Sequence, residues 1–183
     1  MTGIRAATSA DLEWLIDADL RADGLLVVPE HDAAAHRAKI EAFVRGPYDG
    51  AWVHEAEHGA SPCPLGMILA RFRDPTREHD DPFVRMLFAK VLARLEPPWP
   101  ADAAFAEVFQ LWVEPGWRRR GIARGLKRRL EHEARARGLG LVYTHTRVSN
   151  PQVIALNLGL GYTEVRRGGL WDEVPRCSLI KRL

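Results

Sequence analysis

The sequence predicts one α/β domain, of the α+β kind, built from about seven strands and five helices. Three observations carry that expectation. The 183 residues suit a single domain spanning 1–183, long enough to bury about 70% of the surface its unfolded form would expose. Apolar positions recur with period 2 in some segments and period 3.6 in others, without internal repeats or low-complexity tracts. Residues 104–113, AFAEVFQLWV, form a nearly continuous apolar run, as a central strand covered on both faces requires.

The elements follow in order. Residues 3–8, GIRAAT, form a short strand, and Thr8 or Ser9 caps a helix beginning at Ala10 with Leu12, Leu15 and Ile16 inward. A second helix runs from about His31 to Arg45, with Ala35, Ile40, Phe43 and Val44 on its apolar side. Strands at 51–57 and 64–73 flank the turn-rich HGASPC and read as a hairpin. Residues 82–95 carry Val84, Leu87, Phe88, Val91, Leu92 and Leu95 in the stripe of an amphipathic helix, with Pro82 near its start. After the strand 104–113, a basic helix extends to about Arg137 and stops at Gly138. A strand at about 139–148, a short helix from Asn150, and strands at 162–167 and 176–182 complete the order β-α-α-β-β-α-β-α-β-α-β-β.

Composition narrows the function. The net charge of +2 is the remainder of 26 basic and 24 acidic side chains, so any basic patch is local and the chain is no polycation. Cys63 and Cys177 lie far apart, without C-x-x-C or His spacing for a metal, and are expected as free thiols without a catalytic role in a reducing compartment. The longest uncharged run, Val148 to Thr163, contains Asn150, Pro151, Gln152 and Asn157, and the first residues lack an apolar leader core. The expectation is a cytoplasmic protein with no membrane segment and no metal.

The chemistry concentrates in residues 117–130, WRRRGIARGLKRRL, where seven basic residues and no acid crowd the start of the basic helix. A helix N-terminus carries about half a positive charge and prefers acids, so Arg118, Arg119 and Arg120 stand on the wrong end. Small residues at Gly121, Ala123 and Gly125 admit a close ligand, and a bound polyanion resolves the conflict. A solvated charged face and a nucleic-acid patch are the alternatives. The latter fits poorly with the near-zero net charge. A P-loop is excluded: Gly116 and Gly121 have its glycine spacing, but Ile122 and Ala123 replace its Lys and Ser/Thr. Glu107 is the single ionisable residue within 104–113, and a buried carboxylate there needs either a partner or a job.

The strand, turn and Arg118-x-x-Gly121-x-Ala123 pattern from Phe105 to Leu126 resembles the acyl-CoA-binding core of the GCN5-related N-acetyltransferases (GNAT). Asn150 to Tyr162, ending LGLGY, is similar to a second signature of that family. The resemblance implies a mixed, mostly antiparallel sheet of about seven strands flanked by helices, with the helix near 82–95 as an addition. It implies acetyl-CoA as cosubstrate and no metal. Arg118, Arg119, Arg120, Gly121, Ile122, Ala123 and Arg124 would hold its pyrophosphate, and the main chain of Leu111, Trp112 and Val113 would pair with the pantetheine arm, with Asn150 also touching it. The main-chain N–H of Val113 would polarise the acyl carbonyl.

The resemblance makes Glu107, fourteen residues before Gly121, the position of a general base, with burial raising its pKa; a structural glutamate is the alternative. The family tyrosine that protonates the departing thiolate is replaced by Asn157, which could still donate an N–H to the sulfur while Tyr143, Tyr162 or water supplies the proton. His145 shares a strand face with Tyr143 and is expected either to touch the acceptor or to pack. The expected function is acetyl transfer from acetyl-CoA to a primary amine of a small molecule or peptide, with no nucleic acid and a possible homodimer; the helix 82–95 is expected to cover the acceptor cleft or a homodimer contact, with packing on its own core as the alternative. A non-catalytic acyl-CoA sensor with the same fold is the rival.

Overall fold

The computed structural model describes residues 3–25, 30–58, 61–76, 82–100, 102–169 and 171–183. The strands are β1 (Gly3–Ala6), β2 (Asp49–His58), β3 (Ser61–Arg73), β4 (Phe105–Val113), β5 (Leu141–Arg147), β6 (Thr163–Gly168) and β7 (Arg176–Arg182). The helices are α1 (Leu12–Asp23), α2 (Glu30–Arg45), α3 (Pro82–Leu92), α4 (Ile122–Ala136) and α5 (Pro151–Leu158). The order is the expected one. The strands form one mixed sheet in the order β1-β2-β3-β4-β5-β7-β6. The chain divides into two compact units: 1–71 with 108–133, and 72–107 with 134–183.

The first unit holds β1, β2, most of β3, the latter two-thirds of β4, α1, α2 and most of α4. β1, β2 and β3 pair antiparallel, and the β2–β3 register runs from Asp49↔Arg71 to His58↔Ser61. His58 and Ser61–Cys63 of the turn-rich HGASPC are therefore strand, because ladder pairing outweighs the local turn preference of Ser and Pro; residues 59–60, where the turn is expected, lie outside the described residues. β3 is buried on both faces. Met67 and Leu69 join Leu12, Leu15, Ile40 and Phe43 of α1 and α2 in one cluster. On the opposite face a Cβ on Gly66 would lie 2.9 Å from Ile122 Cγ2 and 3.1 Å from the Trp112 carbonyl, so only glycine lets α4 approach this closely.

Helix α1 begins later than its sequence suggests, after a 3₁₀ turn at Ser9–Asp11. Asp11 is the reason: its carboxylate accepts from the Thr8 N–H at 2.7 Å and the Thr8 hydroxyl at 3.0 Å, and receives the Arg5 fork at 2.8 and 2.9 Å.

The second unit holds α3, α5, β5, β6, β7 and the first three residues of β4. β5 pairs antiparallel with β7 from Leu141↔Arg182 to Arg147↔Arg176, and parallel with β4 at Ala106↔Val142 and Glu107↔Tyr143. Its core joins Phe88, Val91, Leu92 and Leu95 to Phe105, Leu141, Tyr143 and Ile180. The ring of Phe88 meets Phe105 and Tyr143 edge-on at 5.1 and 5.0 Å, a favoured aromatic geometry. The described part of the stripe, Phe88, Val91, Leu92 and Leu95, is thus packed on the chain's own core, while Val84 and Leu87 lie outside the described side chains. The helix stops at Leu92, short of the expected Leu95, yet Leu95 remains buried.

Candidate functional site

The loop from β4 to α4 lies wholly within the first unit. Glu114 closes β4 by donating its N–H to the Leu65 carbonyl at 2.9 Å, and Pro115–Trp117 form a 3₁₀ turn. Helix α4 starts only at Ile122, so Arg118, Arg119 and Arg120 precede the helix instead of occupying its first turn. This corrects the reading from sequence, and the physical reason lies in the backbone. Arg119 has φ 64° and Gly121 φ 83°, both left-handed conformations that interrupt a helix. For an arginine this costs about 1 kcal/mol or more, which glycine avoids. Left-handed residues alternating with ordinary ones form anion-binding concavities.

Beyond the loop the first helical bond runs from Gly125 N–H to Gly121 C=O at 2.9 Å, leaving the earlier N–H groups without intrahelical acceptors. Nothing stands within 4 Å of a Cβ built on Gly121, so the space over these donors is open. Arg118, Arg119, Arg120 and Arg124 are exposed around it, while Ile122 anchors the turn in the core.

Two of the arginines are not free rods. Arg118 donates its Nε–H to the Val113 carbonyl at 3.0 Å, and its guanidinium lies 4.7 Å from the centroid of the Trp112 ring. Arg120 lies 4.7 Å over Trp117. Leu111 and Trp112 are half-buried and Val113 is buried, and the structure brings Trp112 and Val113 together with the arginine loop through Arg118.

In the second unit Glu107 is buried as expected, and its partner is Arg73. Both Nε and Nη2 of Arg73 lie 2.8 Å from Glu107 Oε2, and the Arg73 guanidinium also covers Phe88 at 5.5 Å. Sequence reasoning missed Arg73. Its one signal was a second charge, two residues after Arg71, at the end of the apolar strand PLGMILARFR.

Asn150 caps α5, accepting at Oδ1 from Val153 N–H at 3.4 Å, with Pro151 in the first turn. Asn157 is fully buried near the end of the same helix and donates Nδ2–H to the Val153 carbonyl at 2.9 Å; its Oδ1 finds no hydrogen-bond donor among the described residues. Its main-chain carbonyl accepts from Tyr162 N–H at 3.1 Å, which seats the buried Tyr162 beside the helix end.

The Tyr143 hydroxyl lies 3.1 Å from Ser178 Oγ, and burial pushes its pKa well above the usual phenol range, so it is a poor proton donor near neutral pH. His145 packs against the edge of Trp171 at 4.8 Å. Burial, reinforced by the Arg176 charge, lowers its pKa to about 4 and keeps the imidazole neutral.

Cys63 and Cys177 are free thiols, exposed and buried respectively, and burial raises the Cys177 pKa to about 11. Among the described residues no three His, Cys, Asp or Glu gather as a metal site, and no helix is long and apolar enough to cross a membrane.

The architecture is shared with solved acetyltransferases. Arabidopsis thaliana NAA60 in complex with a bisubstrate analogue matches with TM-score 0.72 at 16% identity, covering 100% of this chain and 98% of that one. The ribosomal-protein-S18-alanine N-acetyltransferase from Escherichia coli matches with TM-score 0.65 at 16% identity, covering 100% and 94%. AAC(6')-Iy in complex with the bisubstrate analogue CoA-S-monomethyl-acetylneamine matches with TM-score 0.66 at 17% identity, covering 94% and 97%. At these identities the likeness is one of fold. No curated protein sequence matches the chain at a significant level. The sequence profile of the Acetyltransferase (GNAT) family matches residues 12–162, from the first turn of α1 to the tyrosine that follows α5. With most of its length matched, the chain belongs to the acetyltransferase (GNAT) family.

Proposed function

We propose that this protein is an N-acetyltransferase that moves an acetyl group from acetyl-CoA to a primary amine of a peptide or small molecule. The observation that carries the reading is the loop at 118–124, with two left-handed residues, helix-start amides that have no intrahelical acceptor, an open floor at Gly121 and four exposed arginines. These groups fit a pyrophosphate: backbone N–H groups meet its oxygens and guanidinium groups add charge-assisted bonds. Two of the solved structures of this fold contain bisubstrate analogues, which supports an amine acceptor.

Acetyl-CoA, when bound, supplies an acetyl group activated as a thioester. Leu111, Trp112 and Val113 would hold its pantetheine arm along the end of β4, with the Val113 N–H directed at the acyl oxygen and Asn150 as a further contact. The attacking amine must be neutral. Glu107, ion-paired to Arg73, would take its proton or orient the water that does. Asn157 cannot act as an acid near neutral pH; Tyr162, water or Tyr143, the last weakened as an acid by burial, would return a proton to the sulfur, whose thiol pKa of about 8.5 makes it a fair leaving group without help.

The engagement of the Asn157 amide with Val153 favours one alternative, a sensor that binds acyl-CoA without turnover. CoA should raise the melting temperature under either reading. Thiol release from acetyl-CoA across a panel of amines, aminoglycosides and peptides separates them. Arg118→Ala and Gly121→Glu should each raise the acetyl-CoA KM at least tenfold, since one charge-assisted bond contributes about 1.5–3 kcal/mol. Unchanged cofactor affinity in both variants would remove the assignment of the loop.

A further inference from the structure

Stacking divides the arginines of the loop into two kinds. Arg118 lies 4.7 Å over Trp112 and Arg120 lies 4.7 Å over Trp117, whereas Arg119, in the left-handed conformation between them, has no such stack among the described residues. The alternation is built by the sequence: the tryptophans stand six and three residues before the arginines they hold. Trp112 is the more constrained of the two. Its ring packs against the core cluster of α1, α2, β2 and β3. Arg21 also approaches it, at 5.7 Å, and is itself held by both carboxylate oxygens of Glu114 at 2.9 Å.

The indole N–H of Trp112 is buried and has no acceptor among the described residues. An unsatisfied buried donor is destabilising, and Phe or Leu would fill the place without one. Tryptophan has one compensating property. Its face is the strongest aromatic partner for a guanidinium. Arg118 uses that face and the Val113 carbonyl together, so its plane is set by two contacts while neither Nη group is bonded among the described residues.

We infer that Trp112 and Trp117 are positioning residues for the phosphate loop, holding Arg118 and Arg120 in the orientation that meets the CoA pyrophosphate. An arginine already ordered loses less conformational entropy on binding, so the effect belongs to cofactor affinity and not to the chemical step. The inference rests on the acyl-CoA reading of the loop.

The test is a set of double-mutant cycles on the full chain, with CoA affinity read by calorimetry and acetyl-CoA KM and kcat by thiol release. Trp112→Leu and Trp117→Leu should each weaken CoA binding about fivefold, with Trp112→Phe recovering most of the loss, and Trp117→Leu should leave kcat within twofold. Trp112→Leu made in an Arg118→Ala background should cost nothing further, because the residue it positions is gone; the same holds for Trp117→Leu in Arg120→Ala. Full additivity in both cycles would show packing alone and overturn the inference, as would wild-type affinity in both leucine variants. A wild-type protein that does not bind CoA would overturn the acyl-CoA reading and this inference with it. Loss in Trp112→Leu accompanied by a collapsed melting temperature is resolved by Trp117→Leu, whose half-buried ring lies outside the core cluster.

Discussion

Glu107 is held in place by an ion-pair partner. Inside an apolar strand its carboxylate requires compensation, and Arg73 supplies it with two contacts of 2.8 Å. Breaking such a buried pair from one side costs about 3–5 kcal/mol, so Arg73→Met should lower the urea midpoint sharply. Glu107→Gln is the milder change, because the amide oxygen still accepts from Arg73. If Glu107 is the base or orients its water, Glu107→Gln should lower kcat by about 10²–10⁴ with CoA affinity and melting temperature near wild type. A kcat and acidic pH limb equal to those of wild type would make Glu107 a structural partner of Arg73 only. Asn157 is expected to matter less. Its amide is engaged by Val153, so Asn157→Ala should cost at most about tenfold in kcat, far from the loss of a true general acid.

At the scale of elements, the entry into α1 depends on a single carboxylate. Asp11 accepts from Thr8 and from Arg5, and Arg5 in turn binds Glu55 of β2 at 2.7 Å, so one aspartate ties β1 and β2 to the helix start. Burial pushes the Asp11 carboxyl upward, but the bonds from Arg5 and Thr8 outweigh it and hold the pKa below the usual aspartate value. The sign follows. A carboxyl that is a stronger acid when folded contributes stability that is complete above the unfolded pKa of about 3.9 and is lost as pH falls through the lower folded value. Asp11→Ala should cost about 1–3 kcal/mol in urea unfolding at pH 7, and less than half of that near pH 2. Equal losses at both pH values would show that its charge is irrelevant.

For the molecule as a whole, acid sensitivity should come in part from His145. Its pKa, lowered to about 4 by burial and then by Arg176, lies below the unfolded value of about 6.5. Between those values the unfolded chain binds more protons, so stability is intact above pH 6.5 and declines as pH drops toward 4. His145→Gln should flatten the stability profile in that window by up to about 2 kcal/mol. Urea midpoints at pH 7.0 and 5.0 for both proteins test this; parallel falls would assign the acid sensitivity to other groups.

By itself the sequence determined the order of all twelve elements and the place of the arginine loop, because both are written in local spacing: periods of 2 and 3.6, a Pro-Gly turn, and small residues at Gly121 and Ala123. It also marked Glu107 as a residue in need of a partner. Which partner, Arg73, lies 34 residues away in sequence and was decided by the fold. The same holds for Gly66, an unremarked glycine until α4 packs against it, and for the burial of α3 on the chain's own core. The start of α4 moved from 117 to 122 for a related reason. Helix propensity favours Arg118 to Arg120, but the left-handed turns at Arg119 and Gly121 are a property of the folded loop. Local pattern reports which face a residue would bury; only tertiary structure decides what is waiting there, since contacts between distant segments depend on geometry that no short window of sequence contains.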